Sequence, residues 1–509
     1  MLYEFPEYLP DLPAYNNPGM VDAENVIPAG NSYQQAQGLV DIYGAIDAYA
    51  RGAFNASEPD GENAAFVGNE TKLYRLVGNT ITDVTRTLSA YATASEDLWD
   101  FTQFGNHVIA TNFTDEMQTV DLSAAATTKF VDLSGSEVPK ARYITTVKDF
   151  VMVGNLPDNP FRVQWSGIGD HTKWPTGGSD PVSQAGFQDL DSQYGPIRGI
   201  VGGEYAIVFQ ERAITRLEYV GSPIVFAFFT QETNQGTRYP KSIIRMGDWI
   251  YYLGIDGFFR FDGHRSVSIG ENKVDRTVMR ALDEARPDRV SSAIDYDKHV
   301  IGWAIPTGTS PNVSPDQIWY YNYSRNSKNR WAVVKQQVDM LFTTRSPGYT
   351  MDNIGTYLTD QGLSDNMELL PAPLDSAFWM GGSFEFSGFF PDGTDSLWGL
   401  FSGKALPAKL ETAEAQINQG QRTELQLVKP IVTNNHNTND AEMVVTMKIG
   451  SRNQISDQVT FGGTLQVNDI GQVPCHVNAR YHRLQVQITG SFADAIGVEV
   501  LEEVPGGYR

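Results

Sequence analysis

Residues 249–265 read WIYYLGIDGFFRFDGHR, two short aromatic runs around a tight Asp-Gly turn, and the same layout of strand, turn and strand returns along most of the chain. It recurs at 104–122 (FGNHVIATNFTDEMQTVDL), 147–167, 202–221 and 247–263, and with a longer loop at 297–335. Residues 70–84 and 395–403 carry parts of it. Leu73, Met117, Phe161, Ile214 and Phe258 hold equivalent places and lie 44, 44, 53 and 44 residues apart. A small sheet with two apolar faces cannot bury them alone, so repeated hairpins at about 40 to 50 residues point to sheets stacked face to face around an axis, the spacing of β-propeller blades. A large sandwich, or several small β-domains, is the alternative that the same pattern allows. The expectation is therefore an all-β chain: a multi-bladed β-propeller of at least six blades, with strands near the start completing the last blade so that the ring closes.

Two stretches depart from the repeat. Val274, Val278 and Leu282 stand at helical spacing ahead of Pro287, which predicts one amphipathic packing helix within 271–290. Residues 339–394 form a long irregular insertion before the last hairpin, the expected place for a gate or for contacts between neighbouring copies. Near residue 405 the spacing changes, and alternating strands with short polar turns run to the end, which suits a β-sandwich. The chain thus divides into an N-terminal arm at 1–30, the propeller at 31–405 with its insertion at 339–394, and a β-sandwich at 406–509.

Composition narrows the function. The 509 residues carry a formal net charge of −23, and a protein that grips nucleic acid by neutralising phosphates needs a basic face, whereas a surface that lets DNA slide past is acidic or neutral. The single cysteine, Cys475, excludes an intrachain disulfide and fits a reducing compartment. The opening MLYEFPEYLPDLPAYNNPGM has neither a basic nor an apolar signal region, and no run is apolar enough to span a bilayer, so neither export by a cleaved signal nor a membrane anchor is expected. The five Asn-x-Ser/Thr sequons, at Asn55, Asn69, Asn112, Asn312 and Asn322, are read as chance.

Reactive chemistry is sparse. GIGDHT at 167–172 has two glycines of a dinucleotide fingerprint but Thr172 in place of the third, and no helix follows it. Cys475 neighbours His476 in an expected sandwich strand, a poor setting for a nucleophile. His476 and His482 share strand parity beside Tyr481, which allows a metal site but fits polar residues on a solvated strand face better. Asp189 and Asp191 lie in the acidic stretch DPVSQAGFQDLDSQYG; paired carboxylates can hydrolyse glycosides, but a solvated or calcium-touching role suits this polar loop better. PDGTDSLW at 391–398 lacks the residue that a sialidase Asp-box places between Asp and Gly. No catalytic, metal or cofactor-binding residue is assigned, no cofactor is expected, and the gate and interface residues are left open.

Several stretches taken together carry a resemblance: ENVIPAGNSYQQAQG, FRVQWSGIGDHTKW (161–174), GPIRGIVGGEYAIVFQERAITRLEYVGSPIVFAF (195–228), YYLGIDGFFRFDG with SIGENKVDRTV, LDSAFWMGGS (374–383) and ARYHRLQVQI (479–488). The chain resembles the tail nozzle proteins of short-tailed bacteriophages, also called stabilisation, tail-hub or tail tubular proteins. The resemblance implies a homo-hexameric ring on a β-propeller scaffold, placed below the portal and the head-to-tail adaptor proteins. It further implies contacts with tail fibre or spike proteins, transient contact with passing phage DNA, assembly in the host bacterial cytoplasm, residence in the virion tail, and no enzymatic activity. The matching motifs mark blades, so no gate or interface residue carries over. Two other classes fit the residues. A carbohydrate-binding or glycan-cleaving propeller needs carboxylates and aromatic residues converging at the axial mouth. A monomeric interaction scaffold needs neither ring assembly nor lumen.

Overall fold

The computed structural model describes residues 1–506 apart from 59–62, 78–79, 136, 178–181, 309–313, 346–383, 419–420 and 436–442. Among the described residues the chain is all-β except for one α-helix, Asp275–Ala281, and three single 3-10 turns. The hairpins of the repeat form as expected: Trp249–Leu253 pairs with Phe258–Phe261 across the turn, and Phe150–Gly154 with Arg162–Trp165. Each hairpin sits inside a four-stranded antiparallel sheet. Six sheets are separate, and a seventh set of four strands, Ser291–Asp295 to Trp331–Val334, begins a ten-stranded sheet.

What joins the sheets is a series of apolar layers, each shared by two consecutive sheets. Phe66 and Leu73 of the first sheet meet Phe101 and Val108 of the second; Ile109 and Met117 meet Ile144 and Val151 of the third; Met152 and Trp165 meet Val208 and Leu217 of the fourth. Ile207 and Phe209 then meet Ile250 and Tyr252 of the fifth, whose opposite face, with Tyr251 and Phe258, lies against Ile301 and Trp303 of the sixth. Val300 and Ile318 meet Leu341 and Phe386 of the seventh. The series closes on itself, because Phe389 and Trp398 of the seventh sheet share a core with Val67 and Tyr74 of the first. This closed succession is propeller-like. Alternation explains it: successive residues such as Val208 and Phe209 point to opposite faces, and both faces are buried.

The fourth strand of the seventh sheet is Val40–Ile46, paired with Asp395–Leu400. Chain closure thus comes from the start of the chain, as the repeat predicts. Of the insertion expected over 339–394, the two ends are strands of this sheet, Met340–Arg345 and Phe384–Asp392; the stretch between them, 346–383, lies outside the described residues.

The C-terminal strands build two sheets over one core. In the first, Phe492–Pro505 lies between Thr423–Asn434 and strands of the N-terminal segment, Leu2–Glu4 and Ser32–Gln35. In the second, Tyr481–Thr489 lies between Ala408–Thr412 and Val444–Arg452. Residues 1–30, expected as an arm, are woven through both. Met20–Glu24 pairs with Ala408–Thr412 on one side and with Val333 of the sixth sheet on the other, so one ten-stranded sheet runs from the ring into the C-terminal module.

The helix is shorter than the 271–290 stretch suggested. Val274 and Val278 are fully buried, but the chain turns away at Leu282, where it bridges to Thr307, and Pro287 opens a separate 3-10 turn. Asp275, in the first turn, is held in a space that only glycines leave: a Cβ on Gly270 or Gly257 would lie 2.0 or 2.1 Å from its carboxyl. Its Oδ1 accepts from the Phe258 N–H at 3.0 Å. Burial, with Asp11 and Glu271 nearby, pushes its pKa up to about 7. A carboxyl that resists ionisation in the fold takes up more protons folded than unfolded, so its contribution to stability is present below about pH 4 and is lost as pH rises toward 7. Asp275→Asn is therefore expected to flatten the fall in stability between pH 4 and 7 and to raise the melting temperature at pH 7 more than at pH 4. Parallel melting curves of the two proteins check this, and an unchanged slope would refute it.

Candidate functional site

First strands of consecutive sheets lie side by side, as Asp100–Phe104 does with Tyr143–Val147 and Ser291–Asp295 with Met340–Arg345, and the loops that lead into the second to sixth of them gather at one mouth. That mouth is bridged. Lys241, in the 3-10 turn Pro240–Ser242 before the fifth sheet, reaches Asp100 on the first strand of the second sheet at 2.8 Å. The turn is fixed by Ser292 Oγ, which donates to the Lys241 carbonyl at 2.8 Å, and by Trp303 Nε1, which donates to the Ser242 carbonyl at 3.0 Å.

Beside this bridge opens a cavity of about 910 Å³, walled by loops that precede the second to sixth sheets and by the loops between the second and third strands of the second and third sheets. Nine charged side chains line it, five arginines and four carboxylates, in a chain that is otherwise strongly acidic. Three of the arginines are engaged. Arg142 pairs with Asp97 and lies 4.0 Å over the Phe113 ring; Arg198 holds Glu211, its Nε donating to Oε1 at 3.1 Å; Arg289 lies 3.2 Å from Asp288 and 3.6 Å over the Tyr49 ring. Burial raises the pKa of Asp97 and Asp288, opposed by these guanidinium groups. Arg238, Arg286, Glu96 and Glu284 also line the cavity, and among the described residues their side chains make no ion pair or hydrogen bond. Phe113, Tyr143 and Phe161 supply aromatic surface, and prolines such as Pro157 and Pro196 the rest of the apolar wall. Sequence reasoning missed this place because its residues come from separate loops with no common motif; the only local signal was a Pro and an Arg shortly before several first strands.

The residues weighed from sequence lie elsewhere. Asp189 is on the outermost strand of the third sheet and is clamped by Arg162, whose Nε and Nη2 donate at 2.7 and 3.0 Å, and that hydrogen bonding lowers its pKa. Asp191 accepts from the Gln193 N–H at 3.0 Å and caps a 3-10 turn. Both carboxylates are thus structural here. The GIGDHT stretch is a closed turn in which Asp170 accepts from the Thr172 N–H and hydroxyl at 2.9 and 2.6 Å. The expected common face of His476 and His482 is not formed. They lie on strands of different sheets, Val473–Ala479 and Tyr481–Thr489, because the chain bends between them at Arg480. His476 is exposed beside Glu424, while His482 is buried, its Nε2 3.4 Å from the Val477 carbonyl, and burial lowers its pKa. His482 therefore belongs to the core and not to a solvated face. Cys475 is buried as well, and burial pushes its thiol up to about 11, which keeps it protonated. Among the described residues no group of three His, Cys, Asp or Glu is placed to hold a metal ion, and no helix is long and apolar enough to cross a membrane.

No protein-family model matches the chain, and no curated protein sequence matches it. Solved structures with a similar course are distant. The computationally designed Ika8 protein has a TM-score of 0.36 at 9% identity, covering 72% of this chain and 100% of that one. The structure titled YCF48 bound to D1 peptide has a TM-score of 0.35 at 12% identity, covering 60% and 86%. A chain of the Mitotic Checkpoint Complex has a TM-score of 0.37 at 10% identity, covering 60% and 88%. Likeness at this level carries no functional argument.

Proposed function

We propose that this chain is a non-enzymatic structural subunit of the tail nozzle of a short-tailed bacteriophage: a seven-bladed β-propeller joined to a β-sandwich, six copies of which surround and close the DNA-exit channel in the virion tail. The observation that carries the reading is the resemblance of stretches spread from ENVIPAGNSYQQAQG to ARYHRLQVQI, most of which fall on the strands and turns of the ring and the C-terminal module. Two features support it. A wall of acidic chains repels a phosphate backbone that carries one charge per ~1.7 Å, so DNA passes without being held. The ten-stranded sheet that ties the sixth blade to the C-terminal module suits a part that bears load without flexing at a linker. Head-to-tail adaptor proteins and tail fibre or spike proteins are the partners this reading implies. Sixfold averaging of virion tails containing this protein is expected to place six copies around the axis. A peripheral trimeric fibre, or glycan cleavage by the purified chain, would overturn the proposal.

One observation favours a second reading, a carbohydrate-binding or glycan-cleaving propeller of the same tail: four carboxylates and three aromatic residues converge on the cavity at the mouth of the ring.

A further inference from the structure

The groups left unengaged in that cavity define what it can hold. Arg238 and Arg286 bring donors only, and Glu96 and Glu284 bring acceptors only. Their formal charges cancel, so a phosphate-rich strand or an acidic peptide attracted by the two guanidinium groups meets the two carboxylates as well, and a basic peptide meets the reverse. A neutral polyhydroxylated ligand has no such conflict: each hydroxyl can donate to a carboxylate and accept from a guanidinium. Pro157, Phe161 and Pro196 offer apolar faces of the kind on which the C–H side of a sugar ring packs. The volume, about 910 Å³, is at the upper end of the roughly 300 to 1,000 Å³ of small-molecule sites, enough for a few sugar units.

We infer that this cavity is a binding site for a neutral oligosaccharide. The inference rests on the second reading only for binding, not for cleavage, and it holds whether or not six chains form a ring. Titration calorimetry of the full chain with maltohexaose, cellohexaose and chitohexaose, and with polygalacturonate as an acidic comparison, tests it. The expected result is saturable binding of at least one neutral hexasaccharide, weakened at least tenfold by Glu284→Gln and by Arg286→Ala. Both positions are in a surface loop, so unchanged melting curves show that the variants are folded. No binding of any neutral hexasaccharide at millimolar concentration, preference for polygalacturonate, or binding indifferent to both substitutions would overturn the assignment. Release of reducing ends would leave the binding site standing and count against the non-enzymatic nozzle, so the two proposals fail separately.

Discussion

A chain lacking residues 1–46 is expected to lose its cooperative thermal transition altogether and to elute as aggregate from a sizing column. The deletion removes the strand Val40–Ile46, which leaves the Asp395–Leu400 strand as a bare edge and takes Tyr43 and Ile46 from the layer between the seventh sheet and the first, where Tyr43 packs on Trp398 with ring centroids 5.3 Å apart. The same deletion takes Phe5, Met20, Val26 and Tyr33, all nearly inaccessible, from the core that the C-terminal module shares with the fifth and sixth sheets. Losing one large buried side chain costs about 3 to 5 kcal/mol, and here six or more go together, against a total stability of roughly 5 to 15 kcal/mol. The exposed edge then offers unpaired backbone groups to other chains. A truncated chain that stays monomeric and melts near the full-length temperature would contradict the closure described here.

Trp303→Ala is the most damaging single substitution expected, at about 3 to 5 kcal/mol. The indole is fully buried, its ring centroid 4.8 Å from that of Phe258 in the fifth sheet, and its Nε1 holds the Ser242 carbonyl of the turn that carries Lys241. Trp303→Phe keeps most of the volume but strands that carbonyl, at about 1 to 3 kcal/mol. Chemical denaturation of the three proteins should rank them wild type, Phe, Ala. A Phe variant as stable as the wild type would mean that the turn is held by other contacts.

The hairpins were legible because each is local: alternation and an Asp-Gly or similar turn lie within about twenty residues, and the period follows from their recurrence. Pairings between distant segments leave no such mark. Met20–Glu24 is five residues of ordinary composition, and nothing in it announces that it joins Val333 to Ala408–Thr412. Parity failed at His476 and His482 for a related reason, since the rule applies along one strand and the bend at Arg480 separates two. Asp189 and Asp191 were visible as carboxylates, but Arg162, which decides the state of Asp189, lies 27 residues away. The cavity at the ring mouth is the extreme case, because every wall comes from a different loop.

Pairing between strands far apart in the sequence also sets a schedule for synthesis. Among the described residues, Leu2–Glu4 finds its strand partner in Phe492–Pro505, and Val40–Ile46 in Asp395–Leu400. At roughly 5 to 20 residues per second, the first strand of the ring to emerge waits on the order of 20 to 70 seconds for the last sheet, and Leu2–Glu4 waits longer. The middle sheets can form pair by pair on the ribosome, each covering its predecessor. The ring can close once Asp395–Leu400 has emerged, whereas Leu2–Glu4 stays unpaired until Phe492–Pro505 is made, so the closing of the ring precedes the completion of the C-terminal module.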